Sequence, residues 1–232
     1  MTGSIRPVGP SRFWGWVLFV VMVAALYMIF IYAPTERQMG DIQRLFYFHV
    51  GAAWNAFFAF FVVFIMSLLY LKTRSTRWDV IALSSAEIGV IFTTIVLVTG
   101  PIWGKAYWGH WWTWDPRLTT TLILWFIYVA YLVIRSSAEG ENRARFAAVF
   151  GIIGFVDVPI VFLSIHWWRT IHPKVIDATG INMEPEMVIT LLVSVAAFTL
   201  LYFYLLSQRV AIETTGREVS RLRDRLRTRA GL

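Results

Sequence analysis

The side chains of this 232-residue chain best suited to hold a metal are its four histidines, His49, His110, His166 and His172. Neutral imidazole is the commonest side-chain metal ligand. Their neighbours are unusual. The stretch YWGHWWTWDPRLT sets Trp108, Trp111, Trp112 and Trp114 around His110, then turns polar at Asp115 and Arg117. The stretch HWWRTIHP places Arg169 between His166 and His172. Cysteine is absent, which excludes disulfides, thiolate metal sites, thiol catalysis and covalent haem attachment through C-x-x-C-H.

Zinc usually takes three or four ligands at tight spacing, and no H-x-x-x-H pair is present. Haem iron needs only one or two axial ligands, which can come from distant positions. It also needs flat apolar walls and cations for its two propionates. Trp103, Trp108, Trp111, Trp112 and Trp114 could form the wall as one platform. Trp108, Trp111 and Trp112 fall at i, i+3, i+4, so a short helix would show them on one face. Arg117, with Arg169 or Lys105, could meet the propionates, arginine being favoured for its planar fork. Asp115 followed by Pro116 reads as an N-cap and first helical residue. The plainer alternative for the indoles is an interfacial aromatic belt, which suits Trp14, Trp16 and Trp78.

The elements that must position these groups follow from composition. The chain is 58% hydrophobic and 15% charged, with a mean hydropathy of +0.62. Soluble domains carry about 25% charged residues, so an integral membrane protein is expected. A spanning helix needs roughly 20 mostly apolar residues. Six stretches qualify: 13–32, 45–71, 80–100, 118–134, 146–165 and 187–206. The expected fold is all-α, one polytopic membrane domain over residues 1–232 with a Trp-rich outer loop. The first apolar run is too long for a signal peptide. Fifteen of the 21 Lys and Arg residues fall on one side, in the N-terminal segment, the second and fourth loops and the tail. The positive-inside rule makes that side and both termini cytoplasmic, and all four histidines outer. The net charge of +7 is then a topology signal, with no nucleic-acid partner expected.

Residues 207–232 form a basic tail in which Val219, Leu222 and Leu226 fall at helical spacing among arginines. It suits a surface helix on anionic lipid, or a docking surface for a cytoplasmic partner. Glu87 and Asp157 lie inside spans and should face the bundle interior. They read as packing carboxyls, with Thr93, Thr94 or Ser85 as partners, or as a proton or substrate path. A neutral Asp157 could donate to a carbonyl freed by a kink at Pro159.

WGKAYWGHWWTWDPRLT resembles the WWD signature of haem-handling membrane proteins in cytochrome c maturation. FYFHVGAAW and HWWRTIHP resemble the histidine segments of the six-helix haem exporter protein C (CcmC) family. The resemblance covers nearly the whole chain. It implies non-covalent haem b held by His49 and His172, with His166 in reserve and His110 an extra. It implies a bacterial inner-membrane protein without catalysis of its own. Such a protein presents haem to the periplasmic chaperone CcmE and works with the ABC transporter subunits CcmA and CcmB and the small subunit CcmD. Gly51 departs from the family, which often has proline there. The alternatives are a membrane b-type cytochrome or a zinc-dependent membrane enzyme using His166, His172 and Glu184.

Overall fold

A computed structural model describes residues 11–137, 140–170, 172, 176–177, 180–181 and 183–230. Its helices are α1 (Arg12–Tyr27), α2 (Gln43–Thr73), α3 (Thr76–Trp108), α4 (Pro116–Ser137), α5 (Gly140–Phe155), α6 (Asp157–Trp167) and α7 (Pro185–Ala230). A π-helical turn, Met28–Tyr32, extends α1. Two two-residue strands, β1 (Ile176–Asp177) and β2 (Gly180–Ile181), pair antiparallel before α7. Six helical segments are long and apolar enough to cross a membrane, with α5 and α6 together making the fifth. In hydrocarbon, every backbone group must be satisfied internally, which favours such closed helices.

α2 is the central staff, packed along α3 and touching α5 and α7. Ala52, Ala56 and Ala59 keep its inner face thin and are fully buried or nearly so. Small residues let helices approach closely in a bilayer. Gly51 shows why bulk is excluded: a Cβ there would lie 2.9 Å from Cδ2 of Phe198 on α7. Phe60 of α2 stacks on Tyr128 of α4, with centroids 3.6 Å apart and planes at 12°.

Some expectations need correction. Glu87 pairs with none of Thr93, Thr94 and Ser85. Both its oxygens accept from Arg209 of α7, Oε1 from Nη2 at 2.9 Å. The three hydroxyls donate instead to the carbonyls of Gly89, Val90 and Ala59. Oδ2 of Asp157 accepts no hydrogen bond among the described residues. The fifth span breaks at Val156, immediately before it. α7 runs on without interruption through the basic tail. At about 1.5 Å per residue its 46 residues reach well past a hydrocarbon core of about 30 Å.

The arginine-rich end is tied by charge. Asp79, in the first turn of α3, holds Arg135 of α4 at 2.6 Å and Arg217 of α7 at 3.0 Å. Asp79 and Arg135 are almost wholly buried. Such a pair adds little over an apolar replacement, but removing one partner strands a buried charge, costing about 3–5 kcal/mol.

Candidate functional site

His49 lies in the second turn of α2, facing the C-terminal half of α3. Its Nδ1 is 2.8 Å from Oγ1 of Thr99, and that hydroxyl is 2.7 Å from the carbonyl oxygen of Ile95. A carbonyl can only accept, so Thr99 spends its single proton on Ile95. Towards the imidazole it must therefore accept. His49 then carries its proton on Nδ1, which leaves the Nε2 lone pair bare. This is the arrangement by which an outer partner fixes the tautomer of a metal-binding histidine. The ring also needs Gly100, where a Cβ would sit 3.3 Å from His49 Cε1.

His172 follows the extended exit of α6. Its backbone N–H donates to Thr170 Oγ1 at 3.0 Å, and its ring lies 6.3 Å from that of Trp108 between centroids. Burial, and next the charge of Arg117, push its imidazole down to about 4, with Asp115 pulling the other way. At neutral pH it is uncharged, the form that ligates. Its Nδ1 is buried and has no hydrogen-bond partner among the described residues.

Arg117 completes the group. α4 starts at Pro116 as Asp115 dictates: its Oδ1 accepts from the Arg117 N–H at 2.9 Å, and its carbonyl from Thr119 at 2.9 Å. An N-terminal cap of this kind fixes the chain's entry angle. It sets Arg117 in the first turn, where Nη1 donates to the Phe162 carbonyl at 3.3 Å. Arg117 and His172 both lie within electrostatic reach of His49. Residues 49, 117 and 172, from three different segments, thus lie within reach of one another's charge.

The indoles divide. α3 runs past its expected end, through Pro101, and carries Trp103, Tyr107 and Trp108 on its last turns. Trp103 meets Trp108 edge-on at 4.8 Å. The helical face expected for Trp108, Trp111 and Trp112 does not form. Gly109, with φ at 80°, ends the helix in a conformation glycine adopts at little cost. Trp112 and Trp114 make a second edge-on pair at 5.6 Å. Trp111 is 60% exposed and Trp114 70%. Trp114 itself takes a positive φ of 51°, a strain of about 1–2 kcal/mol at the turn into Asp115.

The other expected residues stand apart. Lys105 donates to the Gly109 carbonyl at 3.0 Å and so caps α3. Arg169, His110 and His166 are exposed, and none of their side chains makes a hydrogen bond or ion pair among the described residues. Thr99 and Gly100 had no sequence signal, because their role depends on a partner 50 residues away. Among the described residues no three His, Asp or Glu side chains gather as a zinc site requires. The residues present do fit haem: one imidazole nitrogen bare by tautomer, a second imidazole held neutral, one arginine for a propionate, and an indole wall.

Comparison with known sequences finds relatives along most of the chain. The sequence model of the family described as heme exporter protein C matches residues 8–225. A heme exporter protein C from Bradyrhizobium diazoefficiens is 38% identical over 173 residues, covering 73% of this chain and 66% of that one. A ccmC-like mitochondrial protein of cytochrome c biosynthesis from Marchantia polymorpha is 37% identical over 191 residues, or 81% and 82% of the two chains. The heme exporter protein C of Escherichia coli K12 is 33% identical over 166 residues, 68% of each. With its WWD loop, its histidine segments and a match along nearly its whole length, the chain belongs to the heme exporter protein C family.

Proposed function

We propose that this multi-pass protein binds haem b, without a covalent bond, on its histidine face and hands it on during c-type cytochrome maturation. The observation that carries the reading is the convergence of His49, His172 and Arg117 beside Trp108. His49 and His172 take the two axial positions of the iron. Arg117 neutralises a propionate, with Arg169 reaching in from the exposed exit of α6. Trp103 and Trp108 wall one side. Trp111, Trp112, Trp114 and the capped Asp115 border the haem edge on the solvent side. The cargo supplies the iron chemistry, and the protein orients it, holds its ligands neutral and leaves an edge open.

The arginine-rich end and both termini face the cytoplasm of a bacterial inner membrane, which puts the haem on the periplasmic side. There a haem chaperone of the CcmE kind receives it. CcmA, CcmB and CcmD are the companions the family implies. On this reading the protein is a haem-transfer component with no catalysis of its own.

The test is handover. Haem-loaded protein is mixed with the soluble domain of a periplasmic haem chaperone, and haem is followed by absorption after separation. Haem should leave for the chaperone, and faster from Arg117→Ala, which keeps the low-spin bis-histidine spectrum. Haem that stays at one per chain and cycles reversibly through redox states would make the protein an electron-transfer cytochrome.

A further inference from the structure

The arginine-rich end holds a feature that the haem site does not use. A cavity of about 800 Å³ opens between the start of α5 and the distal half of α7, lined by Arg143, Glu213, Arg217, Ser220, Arg221 and Asp224. Its charges are not equivalent. Glu213 is already committed, accepting from Arg209 at 3.1 Å and from Arg217 at 2.8 Å. Arg217 is anchored a second time, on Asp79. It is a fixed floor. Arg143 and Arg221 are exposed, and neither forms an ion pair among the described residues. Ser220 adds a hydroxyl to the lining. Asp224 is the one lining carboxylate that holds no cation among the described residues.

The cavity also has a definite depth. Through Asp79, Arg217 stands level with the first turn of α3 and the last turn of α4. Arg143 lies in the first turn of α5. Three spans end here, so the cavity sits at the edge of the hydrocarbon layer. Below Arg143 on the same face of α5, at i+3, is Phe146, 59% exposed, and on α7 Ile212 is 64% exposed. Basic groups thus sit directly above apolar surface.

We propose that this cavity binds the phosphate of an anionic glycerophospholipid. Arg143 and Arg221 grip the phosphate oxygens, where guanidinium groups match the geometry. Ser220 donates a third hydrogen bond. The acyl chains run down past Phe146. A soluble phosphate would satisfy the arginines but leave Phe146 and Ile212 unused. The proposal does not depend on haem.

The experiment is native mass spectrometry of the full chain released from nanodiscs of phosphatidylglycerol or of phosphatidylcholine. Wild type should retain phosphatidylglycerol at least tenfold over phosphatidylcholine. The double variant Arg143→Gln with Arg221→Gln should lose that preference, while its haem spectrum is unchanged. The control Arg227→Gln with Arg229→Gln removes equal charge from α7 outside the cavity and should keep the preference. If the control loses as much, the attraction is diffuse and the site is wrong. Equal retention of both lipids by wild type would overturn it as well. So would inorganic phosphate displacing the lipid at millimolar concentration, which would make the ligand a soluble anion.

Discussion

Thr99 decides what His49 can do. Its hydroxyl accepts from Nδ1 because its own proton is spent on Ile95, and a donated Nδ1–H makes the opposite nitrogen a better ligand. Thr99→Val removes the acceptor and keeps the shape. Haem should still bind with a low-spin spectrum, but the imidazole becomes less electron-rich and stabilises ferric iron less. The midpoint potential should rise by about 40 mV, the equivalent of roughly 1 kcal/mol of hydrogen bond in a one-electron couple. Thr99→Ser should restore it. An unchanged potential in a potentiometric titration of the valine variant would contradict the tautomer argument. At this scale the sequence was only partly readable. His49, His172 and Arg117 stand out by residue type, because such groups are costly near a membrane unless they have a job. Thr99 is one of many threonines, and only packing gives it a partner. Lys105 and Arg169 were legible as cations, but one is taken up by a helix cap and the other is exposed.

Among the elements, α2 carries His49 and also packs closely on α7. Gly51, two residues beyond the histidine, faces Phe198 with no room for a methyl group. Gly51→Ala should cost about 1–3 kcal/mol as overpacking. Gly216→Ala, where nothing lies within 4 Å, should be neutral or stabilising by up to about 1 kcal/mol. Unfolding of the two variants in detergent separates these cases, and equal stability would mean that α2 and α7 do not approach as described. The spans were legible because twenty-residue apolar runs have few alternatives in a bilayer. Their ends were less so. α3 continues through Pro101 to Trp108, where Trp103, Tyr107 and Trp108 pack on one another, and the expected indole face is replaced by a glycine cap. The break before Asp157 was half visible through Pro159, whereas the Glu87–Arg209 pair joins residues 122 apart and no local pattern announces it.

At the scale of the whole molecule, charge separates two ends: histidines and indoles at one, arginines and their buried ion pairs at the other. The account requires the histidine end to face the periplasm. The chain has no cysteine, so single cysteines report sidedness directly. Thr113→Cys should react with an impermeant maleimide in spheroplasts, and Thr228→Cys only after the membrane is opened; the reverse pattern would invert the protein. The central claim, though, is that residues from two distant segments hold one haem. It is tested by the absorption spectrum of purified protein reconstituted with haem, beside His49→Ala and His172→Ala. Each variant should lose the low-spin spectrum of the parent, since each removes one axial ligand. If both variants kept that spectrum, His49 and His172 would not be the ligands and the site would lie elsewhere.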